Sequence, residues 1–140
     1  MKTYKVGYTT GVFDLFHIGH LNILQRAKEK CDFLIVGVST DELTYELKGF
    51  FPAIPFSQRA RIIESIKYVD QVVPEKDVDK LAAWNQLHYD VLFKGSDAKK
   101  KDNYKIYEEK LKEMGVDVCY FPYTEGISST EITEKVGGHR

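Results

Sequence analysis

The sequence predicts an α/β fold, a Rossmann-like parallel sheet of about five strands with helices on both faces. Three observations carry that expectation. Short β-branched or aromatic runs alternate with longer amphipathic ones, the order that a parallel sheet with crossover helices produces. The 140 residues suit one domain with its own core, and no linker, repeat or low-complexity stretch divides them. Every unusual cluster of Gly, His, Lys, Ser and Thr follows an expected strand, on the edge where such sheets bind ligands.

The elements follow in order. Residues 4–9 (YKVGYT) and 33–39 (FLIVGVS) read as buried strands bounded by turn residues. Between them Ile18, Leu21, Leu24, Ala27 and Cys31 recur at helical spacing, with Arg26, Lys28 and Glu29 left for water. A charged loop is expected after the second strand. The spacing then predicts a helix over 57–69, with Ser57 as N-cap. Strands near Gln71–Val73 and Val91–Lys94 bracket a helix around Val78–Leu87, whose apolar face carries Leu81, Trp84 and Leu87. A helix over Tyr104–Met114 stops at Gly115, 116–121 is the last strand, and Ser129–Val136 forms a short closing helix. Crossovers should be right-handed.

Composition narrows the function classes. Hydrophobic residues make up 43% and charged residues 29%, with a formal net charge of −1. No global field therefore advertises nucleic acid or an anionic membrane as partner. No apolar run reaches bilayer-spanning length, and MKTYKVGYTT lacks a signal-peptide core, so a cytoplasmic protein is expected. Cys31 and Cys119 share no metal-site or redox spacing and read as buried free thiols.

The chemistry concentrates in GVFDLFHIGH (11–20), which holds two of the four histidines. Gly11 allows a tight turn and close approach of a ligand to the backbone. The helix beginning near Ile18 offers unpaired N–H groups and a dipole that favours an anion. His17 and His20 are three residues apart, neighbours on the first turn, and Gly19 keeps the space between them clear. Two imidazole donors at a helix N-terminus suit phosphate oxygens. Zinc would want three or four protein ligands, and no Cys or further His is close in sequence. Gly126 with Ser128, Ser129 and Thr130 forms a second candidate phosphate cradle at a helix start. Lys80 is a candidate for an acceptor phosphate, whereas Lys99–Lys101 read as a solvated loop and His88 and His139 as structural or exposed.

GVFDLFHIGH resembles the signature of the H-x-G-H nucleotidyltransferase superfamily. VSTDEL (38–43), Lys48 in YELKGF, SQRARIIESIKYVDQVVPEK (57–76), FKGSD (93–97) and FPYTEGISSTEI (121–132) resemble its later blocks, in order, over nearly the whole chain. The similarity is strongest to bacterial glycerol-3-phosphate cytidylyltransferases. It implies transfer of CMP from CTP, with Mg²⁺, to a small phosphorylated acceptor such as glycerol 3-phosphate. It implies His17, His20 and Lys48 as catalytic residues. The nucleotide would be held by these three with Gly11, Val12, Phe13, Asp97, Tyr123, Thr124, Gly126, Ile127, Ser128, Ser129 and Thr130. The acceptor would be held by Asp14, Arg59 and Lys80, and a homodimer is expected by the same resemblance. Tyr123, Ala98 and Lys67 depart from the family's usual Arg, Trp and Arg, in segments that could touch substrate. KGFFPAIPF and KGSD also resemble heptose-phosphate adenylyltransferases. Adenylyl transfer from ATP to a sugar phosphate or flavin precursor is therefore the alternative reaction, and an inactive nucleotide-binding module the alternative class.

Overall fold

The computed structural model describes residues 4–95 and 102–121. Five strands, β1 (Tyr4–Gly11), β2 (Cys31–Ser39), β3 (Gln71–Glu75), β4 (Val91–Gly95) and β5 (Asp117–Phe121), form one sheet in the order β3-β2-β1-β4-β5. Every neighbouring pair is parallel. The order reverses between β1 and β4, so the switch point lies at the carboxyl ends of those two strands. The expected fold class holds.

Two apolar layers cover the sheet. On one face α1 (Ile18–Lys30) and α3 (Phe56–Glu64) bury Leu24, Ala27 and Ile63 against Val36, Val38 and Phe93. On the other, α4 (Lys80–Leu87) and α5 (Asp102–Glu113) pack Leu81, Trp84 and Leu111 against Tyr8, Ile35 and Leu92. Alternation along each strand produces the split: Leu92 and Phe93 are adjacent in sequence and face opposite layers. Trp84 belongs to this packing as expected, and its indole N–H donates to the Tyr89 carbonyl at 3.1 Å.

Three details differ from the expectation. The segment after β2 is a helix, α2 (Asp41–Lys48), not a charged loop. Thr40 caps it, its hydroxyl accepting from Leu43 N at 3.1 Å, and Gly49 ends it in the left-handed region at φ 81°. Ser57 is not the N-cap of α3. Pro55 holds that position without a side-chain cap, and the helix stops at Glu64 instead of running to 69. Cys31 is buried as expected, but Cys119 is only half-buried; both are free thiols. The expected closing helix at Ser129–Val136 lies outside the described residues.

Candidate active site

The turn from β1 into α1 sits at the carboxyl edge. Phe13 (φ 55°) and Leu15 (φ 52°) both adopt left-handed backbone, uncommon outside glycine. Between them Asp14 is buried, and its carboxylate accepts from Ala53 N at 2.8 Å and Ile54 N at 2.9 Å. The turn is thereby tied to the segment joining α2 and α3.

Arg59 completes that tie from α3. It is 1% exposed. Its Nε donates to Ile54 O at 2.7 Å, and Nη1 to Val12 O at 2.7 Å and Ser39 O at 2.8 Å. Nη2 pairs with Asp41 Oδ1 at 2.5 Å. One planar fork thus joins the β1–α1 turn, the β2–α2 junction and the segment before α3, a task no lysine could perform. Arg59 and Asp14 were both expected at the acceptor; the hydrogen bonds seen here tie the rim loops together. Lys80, the third residue expected at the acceptor, also has a protein partner. It is buried, and its ammonium pairs with Glu75, whose other carboxylate oxygen accepts from Ser39 Oγ at 2.9 Å.

The two histidines are built differently. His17 is the N-cap of α1, and its Nδ1 accepts from Gly19 N at 3.1 Å. His20 Nδ1 reaches back to accept from His17 N at 3.2 Å, closing a capping box made of two imidazoles. The rings stack with centroids 3.9 Å apart, and Phe13 and Phe16 pack against His20. Burial lowers the pKa of both. His20 falls to about 4, chiefly through burial and then through the neighbouring His17, with Lys48 pushing the same way and Asp14 opposing. Because each Nδ1 accepts a backbone N–H, the neutral tautomer of each ring carries its proton on Nε2. The pair therefore offers two neutral N–H donors at a helix N-terminus.

Lys48 ends α2, close enough for its charge to act on His20, and Gly11 and Val12 line the same turn. Sequence reasoning missed three partners. Asp41 anchors Arg59, Glu75 engages Lys80, and Lys94 Nζ donates to Thr10 Oγ1 at 2.8 Å across the β1/β4 switch point. The only advance signal for Lys94 was its place at the end of a strand. Asp97 and the residues expected from the last block (Tyr123, Thr124, Gly126, Ile127, Ser128, Ser129 and Thr130) lie outside the described residues.

A strand-edge site with paired imidazole donors and a helix N-terminus is suited to nucleotide phosphates, and the family comparison agrees. The model of the cytidylyltransferase-like family matches residues 8–135. The chain belongs to the cytidylyltransferase-like family. It is 38% identical over 133 residues to glycerol-3-phosphate cytidylyltransferase of Bacillus subtilis, covering 93% of this chain and 95% of that protein. It is 37% identical over 137 residues to the Staphylococcus aureus protein of the same name, covering 93% of each. The bifunctional protein HldE of Helicobacter pylori is 36% identical over 133 residues, or 94% of this chain and 28% of that longer protein. Among solved structures, the lipopolysaccharide core biosynthesis protein of Thermoplasma volcanium superposes with a TM-score of 0.70 at 26% identity, covering 86% of this chain and 97% of that one. This cytidylyltransferase-like chain is a nucleotidyltransferase.

Proposed function

We propose that the enzyme transfers a cytidylyl group from CTP to glycerol 3-phosphate. An acceptor phosphate oxygen attacks the α-phosphorus in line, the bond to the bridging oxygen of the β-phosphate breaks, and pyrophosphate leaves. The protein contributes position and charge stabilisation and forms no covalent bond to substrate. His17 and His20 donate their Nε2 protons to α-phosphate and bridging oxygens as charge builds there. Lys48 holds the outer phosphates, and the hydroxyls of residues 128–130 join it. Mg²⁺ bound with the triphosphate would offset the charge of its oxygens. Among the described residues no group of three or more His, Cys, Asp or Glu is placed to hold a metal ion.

The observation that carries this reading is the imidazole capping box. It turns both Nδ1 atoms inward and leaves two neutral Nε2–H donors at an anion-binding helix end. Support for CTP and glycerol 3-phosphate comes from relatives of that name, similar over more than nine-tenths of the chain. No helix among the described residues is long and apolar enough to cross a membrane. We place the enzyme in the cytoplasm and expect a homodimer, checked by light scattering.

Pyrophosphate release, measured with CTP or ATP against glycerol 3-phosphate and a panel of polyol and sugar phosphates, tests the proposal. Release with CTP and glycerol 3-phosphate is expected. Release with ATP alone would replace cytidylyl by adenylyl transfer, and no release with any pair would favour a binding module.

A further inference from the structure

Lys48 rides on an excursion of the chain that leaves the core and returns to it. Its departure is fixed in the first half of α2, where Leu43 and Thr44 are buried and the Thr44 hydroxyl donates to Thr40 O at 2.9 Å. Its return is fixed by Ala53 N and Ile54 N, both donating to the buried Asp14 carboxylate. Between these anchors, residues 45–49 and Phe51 are all exposed. A stretch so placed gains little from core packing, so its position depends on local contacts.

One such contact closes around Lys48. Gly49 turns the chain in the left-handed region directly after it, φ 81°, and its N–H donates to Tyr45 O at 2.8 Å. The reversal brings the Phe51 ring back onto the Tyr45 ring, with centroids 4.7 Å and planes 26° apart. Tyr45 is 50% exposed and Phe51 61%, so each ring shields part of the other outside the core. An aromatic pair at such a separation attracts beyond the area it hides. Tyr45 precedes Lys48 and Phe51 follows it by three residues each, so the stack clips the turn shut with the lysine at its apex. The charge of Lys48 is felt at His20. Where this turn sits therefore decides how that charge meets the reacting phosphates.

We propose that the Tyr45–Phe51 stack is a clasp that holds Lys48 on the triphosphate, making both aromatics positioning residues for the transfer. The inference rests on the role given to Lys48 above. Steady-state kinetics with CTP and glycerol 3-phosphate test it, in full-length Phe51→Ala, Tyr45→Ala, Lys48→Ala and the double variant Phe51→Ala with Lys48→Ala. Phe51→Ala and Tyr45→Ala break the stack from opposite sides. Each should lower kcat/KM for CTP by roughly threefold to tenfold, the factor that an aromatic pair can supply, with the KM for glycerol 3-phosphate unchanged. Phe51→Tyr keeps the ring and should keep wild-type kinetics. With Lys48 already removed, Phe51→Ala should cost nothing further, because its effect passes through that lysine. A general weakening of the fold would lower activity equally in both backgrounds. Wild-type kinetics in both single aromatic variants, or an equal loss with and without Lys48, overturns the clasp alone. A fall in molecular mass of Phe51→Ala by light scattering would assign the rings to a subunit contact and also overturn it. A Lys48→Ala enzyme as active as the wild type overturns the role of Lys48 in the transfer, and this inference with it.

Discussion

Two polar clusters share the carboxyl edge, and they spend their hydrogen bonds in opposite directions. Around Arg59, every bond seen runs to the protein itself: three backbone carbonyls and the Asp41 carboxylate. Around His17 and His20, the inner nitrogens are occupied by backbone N–H groups and the outer ones are directed away from the cap. The first cluster holds loops together; the second keeps its outer nitrogens out of the cap, as the proposed reaction needs. Proximity to a site is thus a weaker guide to function than the direction in which a side chain's donors are spent.

The sharpest way to break the contrast is to remove the hub. Arg59→Ala leaves Asp41 and three carbonyls without their donor. It should destabilise the fold by roughly 3–5 kcal/mol, the range for losing one partner of a buried ion pair. Urea unfolding measures this, and a loss below about 1 kcal/mol would mean that the rim loops do not depend on Arg59. Arg59→Lys should recover little, because an ammonium cannot reach all four acceptors.

The histidines should show the opposite profile. His17→Ala and His20→Ala should each lower kcat by ~10²–10³, the usual cost of removing one charge-stabilising donor. The stability loss should be only about 1 kcal/mol, through the missing cap. Near-normal turnover in both variants would sink the assignment, whatever the stability data show.

A smaller effect concerns pH. The unfolded His20 imidazole takes a proton at its ordinary 6.5, whereas the folded one resists until about 4. Between those values the unfolded chain binds more protons, so stability is full above pH 6.5 and declines as the pH falls towards 4. His17, shifted the same way, adds to the decline. Unfolding free energies at pH 7 and 4.5 should differ less in His20→Asn than in the wild type; equal differences would remove His20 as the cause.

Much of this was legible in advance, for identifiable reasons. The parallel strands and both helical layers follow from periodicities that burial imposes, as the adjacent pair Leu92 and Phe93 illustrates. The paired histidines were legible because three-residue spacing at a helix start leaves few geometries open. The protein partners of Arg59, Asp14 and Lys80 were not, because Asp41, Ala53, Ile54 and Glu75 are brought to them by tertiary packing. Helix α2 escaped notice because DELTYELK carries only two aliphatic residues, Leu43 and Leu47, and Leu47 is exposed. Its capping signals, Thr40 and Gly49, were present and outweighed by the charge around them.

The proposed transfer requires His17 and His20 to meet phosphate as neutral Nε2–H donors. The direct measurement is ¹⁵N NMR of the histidine side chains at pH 7, with and without CTP and Mg²⁺. Both rings should be neutral, with protonated Nε2 and bare Nδ1, and both Nε2–H signals should move when CTP binds. Imidazolium rings, protonated Nδ1, or Nε2–H signals indifferent to CTP would contradict it.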